Sequence, residues 1–203
     1  MSIGTYAELQ TAVAAWLHRT DLESRIPDFI RLNEAYLSAN VRSRSMETRT
    51  VLTCTASNGY VTLPTDMLEM RRLVLNRSDG TLRPLKYVTP DELVNDYPWA
   101  ETGEPAVFTV IGGEVQLARI PDVAYTLELT YIQRIPALSD SNTTNWLLTA
   151  YPNVYLYGTL FQACQFSFEE AQRDQYMQLL KDGMEAITAV DWYSGSTMTV
   201  RTS

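Results

Sequence analysis

Apolar side chains recur at three- and four-residue spacing through the first part of the chain, which is the pattern of amphipathic helices. A capping box at Thr5 and Glu8 predicts the start of a first helix that ends near His18. A second cap at Thr20, with Pro27 in an early helical position, predicts a second helix. Because the two helices follow one another closely, we expect an antiparallel pair. Their apolar positions are Leu9, Val13, Trp16 and Leu17, then Ile26, Phe29, Ile30, Tyr36, Leu37 and Val41.

The pattern changes from helical to alternating at Arg49, where β-branched residues become frequent. Three dipeptides that favour tight hairpin turns punctuate this region, and Pro136 closes it. A cap followed by an early proline predicts one short helix near residues 90–95. We therefore expect an antiparallel β-domain of about seven strands over residues 49–136. The turn dipeptides are Asn58-Gly59, Asp79-Gly80 and Gly112-Gly113, and the residues that follow Asp79-Gly80, 81–88, are expected to form one strand.

Helical spacing returns after a polar loop at residues 139–145. Pro152 can start one helix, with apolar positions that run to Phe168, and a final helix is predicted from about Glu169 to Trp192. Beyond that helix the sequence becomes small, polar and β-branched. We expect this end to be mobile in an isolated subunit, because it cannot bury enough surface to offset its ordering entropy.

The order of helix pair, β-region and helix pair predicts an α+β protein. The N- and C-terminal helices are expected to pack into one four-helix bundle, in which the β-domain is an insertion. We divide the chain into bundle residues 1–48, a β-domain at 49–136, bundle residues 137–193 and a flexible C-terminal arm at 194–203.

Charge and hydropathy narrow the range of partners. The 203 residues carry a formal net charge of −8, whereas a protein that grips DNA by its phosphates needs a basic surface. This charge balance therefore argues against tight DNA binding, although it does not argue against DNA passing nearby. No stretch approaches the roughly 18 apolar residues that span a bilayer, and the first residues do not resemble a signal peptide. We expect a soluble protein that is made in the cytosol and has no membrane partner.

The residues offer no promising catalytic or metal-binding combination. His18 is the only histidine, which argues against most catalytic triads and nearly all zinc sites. The neighbouring acids Glu169 and Glu170 fit a helix start better than a glycosidase pair, since they face different directions. No nucleotide-binding loop occurs. Cys54 and Cys164 lie within apolar patterns and are expected to be buried free thiols. We predict no enzyme activity, no cofactor and no bound metal.

Aromatic side chains are the more informative group, with 12 tyrosines and four tryptophans. Such residues bury large areas at low entropic cost and favour interfaces. Tyr155 and Tyr157 cannot both lie on one narrow helical stripe, so at least one is expected to face a neighbouring subunit. Trp192 and Tyr193 near the end of the last helix extend this predicted subunit interface.

Several short segments follow one another along nearly the whole chain. They are Thr5-Tyr6-Ala7-Glu8-Leu9, Arg25-Ile26-Pro27-Asp28-Phe29-Ile30, Leu63-Pro64-Thr65-Asp66-Met67-Leu68-Glu69, Gly112-Gly113, and Asp140-Ser141-Asn142-Thr143-Thr144-Asn145-Trp146-Leu147-Leu148 with Tyr151-Pro152. Each is short, but in this order and spacing they resemble the head-to-tail adaptor proteins of tailed bacteriophages, which sit beneath the portal. The resemblance covers both predicted helix pairs and the β-domain.

The resemblance implies a non-enzymatic virion protein of the phage neck, assembled in the host bacterial cytoplasm. It implies a homo-oligomeric ring of about twelve subunits that docks on the portal protein, extends the DNA channel and offers a platform for tail or nozzle proteins. Such adaptors insert a flexible C-terminal arm into the portal. The corresponding portal-binding residues here are Ser194, Gly195, Thr197, Met198 and Val200.

Two other function classes remain open on the sequence alone. Residues 49–136 could form a β-sandwich module that binds a carbohydrate or a receptor, which glycan binding by that segment would reveal. A tail-associated peptidoglycan hydrolase is the enzymatic alternative, although no pair of acids stands out for it. A zymogram with the purified protein separates this alternative from the structural role.

Overall fold

Six α-helices and two four-stranded β-sheets make up the computed structural model, which describes residues 3–97 and 101–194. This content confirms the predicted α+β class. Contacts divide the chain into two compact units, a helical unit of residues 1–45 and 135–203 and a β-unit of residues 46–134. Whether residues 49–136 fold as a separate domain stays a prediction.

The helical unit holds five helices, and helix α5 contacts each of the other four. The N- and C-terminal helices therefore pack together in one unit. Among the described residues, no helix combines the length and the apolar character that crossing a membrane requires. The helices are α1 (Tyr6–Leu17), α2 (Ile26–Asn40), α4 (Trp146–Ala150), α5 (Pro152–Ser167) and α6 (Glu170–Ser194).

Local signals set the helix starts. The predicted capping box is present, since the Thr5 hydroxyl accepts the Glu8 amide hydrogen and the Glu8 carboxylate accepts the Thr5 amide hydrogen. The second helix begins later than expected, because the segment Thr20–Arg25 forms a 3-10 helix. Pro27, which has no amide hydrogen to donate, lies in the first turn of α2 that follows.

The β-unit contains eight strands and the short helix α3 (Pro90–Asp96), which begins at the predicted cap Thr89. One sheet has the order β1-β8-β3-β4 and the other β2-β7-β6-β5. The strands are β1 (Glu47–Cys54), β2 (Tyr60–Thr62), β3 (Met67–Asn76), β4 (Leu82–Pro84), β5 (Lys86–Tyr87), β6 (Val107–Ile111), β7 (Glu114–Ala118) and β8 (Tyr125–Gln133).

The strand count and the pairing correct the sequence prediction at residues 81–88, which were expected to form one strand. The chain changes sheets at the buried residue Leu85, so that β4 pairs with β3 and β5 with β6. The β5–β6 pair is parallel rather than antiparallel. Helix α3 lies between these strands in sequence and provides the long connection that a parallel pair needs.

The two sheets share one apolar core. Alternate residues of β8, Leu127, Leu129 and Tyr131, are buried there, as the two-residue period of a strand dictates. Residues of the second sheet, such as Val115 and Leu117, are fully buried in the same cluster. Strand β8 pairs with β1 on one side and β3 on the other, so it is one of the two interior strands of its sheet.

Candidate functional site

Among residues 3–97 and 101–194, no group of three or more His, Cys, Asp and Glu side chains could hold a metal ion. Cys54 and Cys164 are buried free thiols, as predicted. Burial raises the pKa of both thiols, which disfavours the reactive thiolate. His18 is exposed at the C-cap of α1. The notable features of the helical unit are instead a buried polar network and exposed apolar surfaces.

The polar network centres on Glu34 of α2, which is only 6% exposed. Its Oε1 accepts the backbone amide hydrogen of Leu138 at 2.8 Å and the hydroxyl of Tyr155 at 3.1 Å. Asn145 donates to the same tyrosine oxygen at 2.6 Å and to the backbone oxygen of Pro136 at 2.7 Å. Helix α2, helix α5 and the loop that leads into α4 are thereby fixed together.

Burial determines the electrostatics of this network. Desolvation raises the pKa of Glu34, although the hydrogen bonds from Leu138 and Tyr155 oppose the shift. Burial, followed by the nearby Glu34 carboxylate, also raises the pKa of the Tyr155 hydroxyl. No pattern in the sequence pointed to this network, because a glutamate on a helix is usually solvated.

Glu34→Gln tests the cost of the buried charge. Because the folded-state pKa of Glu34 is raised, its stabilising contribution is present below the unfolded-state pKa and is lost as pH rises through the folded-state pKa. A neutral glutamine can still accept from Leu138. We therefore expect the melting temperature of the variant, relative to wild type, to increase between about pH 4 and about pH 8. Exposed Glu23→Gln is the control, and an equal response of both variants would contradict the prediction.

Helices α2 and α5 approach closely at Asn33 and Gly158. Asn33 is fully buried, and its amide donates to the backbone oxygen of Tyr155 at 3.4 Å. A Cβ atom at position 158 would overlap the Asn33 side-chain amide. Gly158 is thus required here by close approach rather than by an unusual backbone angle.

The structure separates the two tyrosines that were predicted for the subunit interface. Tyr155 is fully buried within the helical unit, so it belongs to the core of that unit and is not accessible to a neighbouring subunit. Tyr157 is half-buried between two rings, with centroid distances of 6.1 Å to Trp16 and 6.4 Å to Tyr176. Trp16, assigned by its spacing to the apolar stripe of α1, is 45% exposed. We call Trp16, Tyr157 and Tyr176 the aromatic surface.

The remaining predicted interface and arm residues lie at the end of the chain. Helix α6 extends through Ser194, two residues beyond the predicted helix end, so Ser194 belongs to the helix and not to the arm in which it was predicted. The side chains of Trp192 and Tyr193 lie outside the described part of the structure. The arm residues also lie outside it, and their portal-binding role stays a prediction. They are Gly195, Thr197, Met198 and Val200.

A second exposed apolar feature lies where α5 meets α6. Phe168 is 89% exposed, and its left-handed backbone (φ 60°) forms the C-cap that ends α5. Phe166 is 53% exposed and packs on Phe29 at a centroid distance of 5.6 Å. We call Phe166 and Phe168 the phenylalanine corner. The sequence pattern placed Phe168 on the apolar stripe of the helix, but the left-handed cap removes it from that stripe.

A groove lies between the end of α2 and the C-terminal half of α6, with a volume of about 680 Å³. Helix α6 packs tightly on α5 at Gly183, where a Cβ atom would lie 2.8 Å from a methyl group of Val154. The neighbouring turns of α6 leave the groove open beside α2. The residues that line it include Asn40, Val41, Lys181, Met184, Thr188 and Ala189.

The comparisons with known proteins bear on the whole chain. The sequence matches the family model described as SU10 adaptor protein over residues 4–201. This match includes both the helical unit and the β-unit. No curated protein matches the sequence.

Proposed function

Because the chain belongs to the SU10 adaptor protein family of phage head-to-tail adaptors, we propose that it forms a closed ring beneath the portal of a tailed phage. Family membership makes it a structural protein and not an enzyme. In the proposed ring, about twelve copies extend the DNA channel and provide the platform to which tail or nozzle proteins attach. The family match over nearly the whole chain carries this proposal.

The architecture supports a ring subunit built on the helical unit. We propose that this unit is the four-helix bundle of the subunit and that the β-unit is its insertion. The helical unit exposes the aromatic surface and the phenylalanine corner, where Trp16, Phe166 and Phe168 are each 45% or more exposed. Adjacent exposed aromatic side chains are typical of interaction surfaces. A repeated contact between copies would cover them.

The charge of the chain supports a channel wall. With a formal net charge of −8, a ring of such subunits repels the phosphate backbone rather than holding it. DNA can then move through the channel without specific binding to the wall. A strongly basic lining would slow the passage that an adaptor must allow.

The test uses portal rings from the same phage, mixed with the full-length chain or with a chain that ends at Ser194. We expect closed rings of the full-length chain on the portal in electron micrographs. Removal of residues 195–203 should greatly weaken portal binding, because even weak contacts by each arm add up around a ring. The melting temperature should hardly change, since the whole of α6 is retained.

A paired substitution separates the proposed anchors from the length of the arm. Met198→Ser with Val200→Ser should weaken portal binding as truncation does, because it removes the two apolar side chains of the segment. Thr199→Ser with Thr202→Ser is the matched control and should bind normally, because neither residue belongs to the predicted portal-binding set. Equal binding of the full-length and truncated chains to the portal would refute the portal-binding role of the arm. The absence of any ring on the portal would refute the proposed function.

A further inference from the structure

A pocket lies in the β-unit, between β3 of one sheet and β5 and β6 of the other. Its volume of about 410 Å³ lies within the roughly 300–1,000 Å³ range of pockets that hold small organic groups. We call it the β-unit pocket. All the residues that define it belong to the β-unit, so its geometry depends on that unit alone.

Strand pairing explains how the pocket acquires its polar rim. Strand β4 pairs with β3 only at Val74–Asn76, and the described residues before Val74 pair with β8 alone. A register shift between Met70 and Arg72 leaves Arg71 as an extra residue in β3. Adjacent side chains of a regular strand point to opposite faces, but a bulge redirects them. Both arginines consequently line the pocket.

The interior of the pocket is apolar. Leu73, Leu85 and Phe108 line it and are part of the buried core shared by the two sheets. Tyr87, which is 54% exposed, packs edge-on against Phe108 at a centroid distance of 5.8 Å. Aliphatic groups beside an aromatic pair suit a bulky apolar side chain, above all another aromatic ring. Covering this surface removes apolar area from water, which favours binding.

Charge indicates the chemistry of the partner. The described residues that line the pocket include two arginines and no acidic side chain, in a chain whose formal net charge is −8. Of the residues next to the lining in sequence, Lys86 is basic and Glu69 is acidic. The local excess of positive charge favours an acidic partner, because complementary charge steers and orients what binds.

Neither arginine is held by a strong ion pair. Arg71 lies 3.3 Å from Glu69, and Arg72 lies 3.9 Å from Glu128, which is beyond hydrogen-bond distance. The two arginine side chains are 50% and 60% exposed, and exposed pairs contribute little to stability. Glu128 also pairs with Arg49 at 3.5 Å, so three arginines lie close to two glutamates. An added carboxylate can therefore accept hydrogen bonds from Arg71 and Arg72.

From these features we infer that the β-unit pocket binds an acidic segment of another virion protein. A bulky apolar side chain of the segment enters the pocket, and a carboxylate beside it contacts Arg71 and Arg72. Membership of the adaptor family implies contacts with other virion proteins. The inference uses this membership but not the proposed ring, so a chain that forms no ring can still bind the segment.

A protein segment fits the pocket better than nucleic acid does. Arginine and tyrosine side chains also attract phosphates and bases. The aliphatic side chains of Leu73 and Leu85, however, offer no hydrogen bond to a phosphate. The net negative charge of the chain also repels a polyanion.

Peptide binding to the full-length chain tests the inference. The probe is a short capped peptide in which one phenylalanine lies between two glutamates, and binding is followed by NMR of labelled methyl groups. We expect the signals of Leu73, Leu85 and Val110, which line the pocket, to shift. Replacing both glutamates of the peptide by glutamine should weaken binding about tenfold or more, since it removes charged hydrogen bonds. Replacing its phenylalanine by alanine should have a similar effect.

Arg71→Gln with Arg72→Gln should also weaken binding of the glutamate peptide about tenfold or more. The melting temperature should hardly change, because both side chains are exposed. The glutamine peptide should bind this variant and wild type about equally, which separates lost charge contacts from a damaged pocket. Arg49→Gln is the matched control, because Arg49 shares Glu128 but does not line the pocket. It should alter binding less than about twofold.

Four results would overturn the inference. The first is no binding of the glutamate peptide, or binding that leaves the pocket signals unshifted. The second is equal affinity of that peptide for wild type and for the variant without Arg71 and Arg72. The third is binding of a short single-stranded DNA, in place of the peptide, that needs the same two arginines. The fourth is self-association that the double substitution abolishes, which would assign the pocket to a second copy of the chain.

Discussion

Gly158→Ala should destabilise the helical unit by about 3 kcal/mol, since a buried clash and a weakened hydrogen bond each cost about 1–3 kcal/mol. The new Cβ would occupy the space of the Asn33 side-chain amide, which is fully buried. Either this amide or the backbones of helices α2 and α5 must shift to accommodate it. We expect a fall in melting temperature of roughly 6–12 °C, measured by circular dichroism.

A double-mutant cycle shows whether the clash is the cause. Asn33→Ala removes the amide that meets the new methyl group, so the double variant Asn33→Ala with Gly158→Ala should be less destabilised than the sum of the single variants. Additive losses would mean that Gly158 matters for a reason other than Asn33. A melting temperature of Gly158→Ala equal to that of wild type would show that the helices do not approach closely here.

Local signals in the sequence predicted most of the architecture. The capping box at Thr5 is present as predicted, and the change of period at Arg49 falls within strand β1. The family match confirms the resemblance to phage head-to-tail adaptors, and with it the structural, non-enzymatic role. These features depend on short-range geometry or on motifs that a sequence displays directly.

Features that depend on distant partners were not predictable. Spacing alone could not decide between Tyr155 and Tyr157, because the choice depends on Glu34, which is 121 residues from Tyr155 in sequence. The split of residues 81–88 into two strands is similar, since it reflects the pairing of β4 with β3 and of β5 with β6. Which strands pair with each other is a tertiary property, and the alternation of apolar and polar side chains along one strand does not determine it.

The candidate interaction surfaces also depend on tertiary structure, which the spacing of apolar residues did not predict. Helical spacing placed Trp16 and Phe168 on apolar stripes, but the structure exposes both residues. For Phe168 the reason is a left-handed residue at the helix end, and Gly or Asn is the usual signal for that conformation. A phenylalanine in this position gave no such signal. The groove arises from the packing of α6 on α5, which no single segment encodes.

Tyr155→Ala should mainly lower the stability of the subunit, whereas Tyr157→Ala should mainly impair ring assembly. Tyr155 fills a fully buried position, so its loss leaves a cavity and should cost about 3–5 kcal/mol. The variant also leaves the Glu34 carboxylate without one of its donors. Tyr155→Phe keeps the ring and removes only the hydroxyl, and it should cost about 1–3 kcal/mol. Thermal melts of the two variants separate the contribution of packing from that of the hydrogen bond.

Tyr157→Ala should leave the subunit folded, because the two contacts of this half-buried ring, with Trp16 and Tyr176, contribute about 1–3 kcal/mol together. If the aromatic surface contacts a neighbouring copy, the variant should assemble poorly on portal rings at a concentration where wild type forms closed rings. Tyr176→Phe keeps the stacked ring and is the matched control for assembly. Normal ring formation by Tyr157→Ala would contradict the role of the aromatic surface in contacting a neighbouring copy. A wild-type melting temperature for Tyr155→Ala would contradict the assignment of Tyr155 to the core.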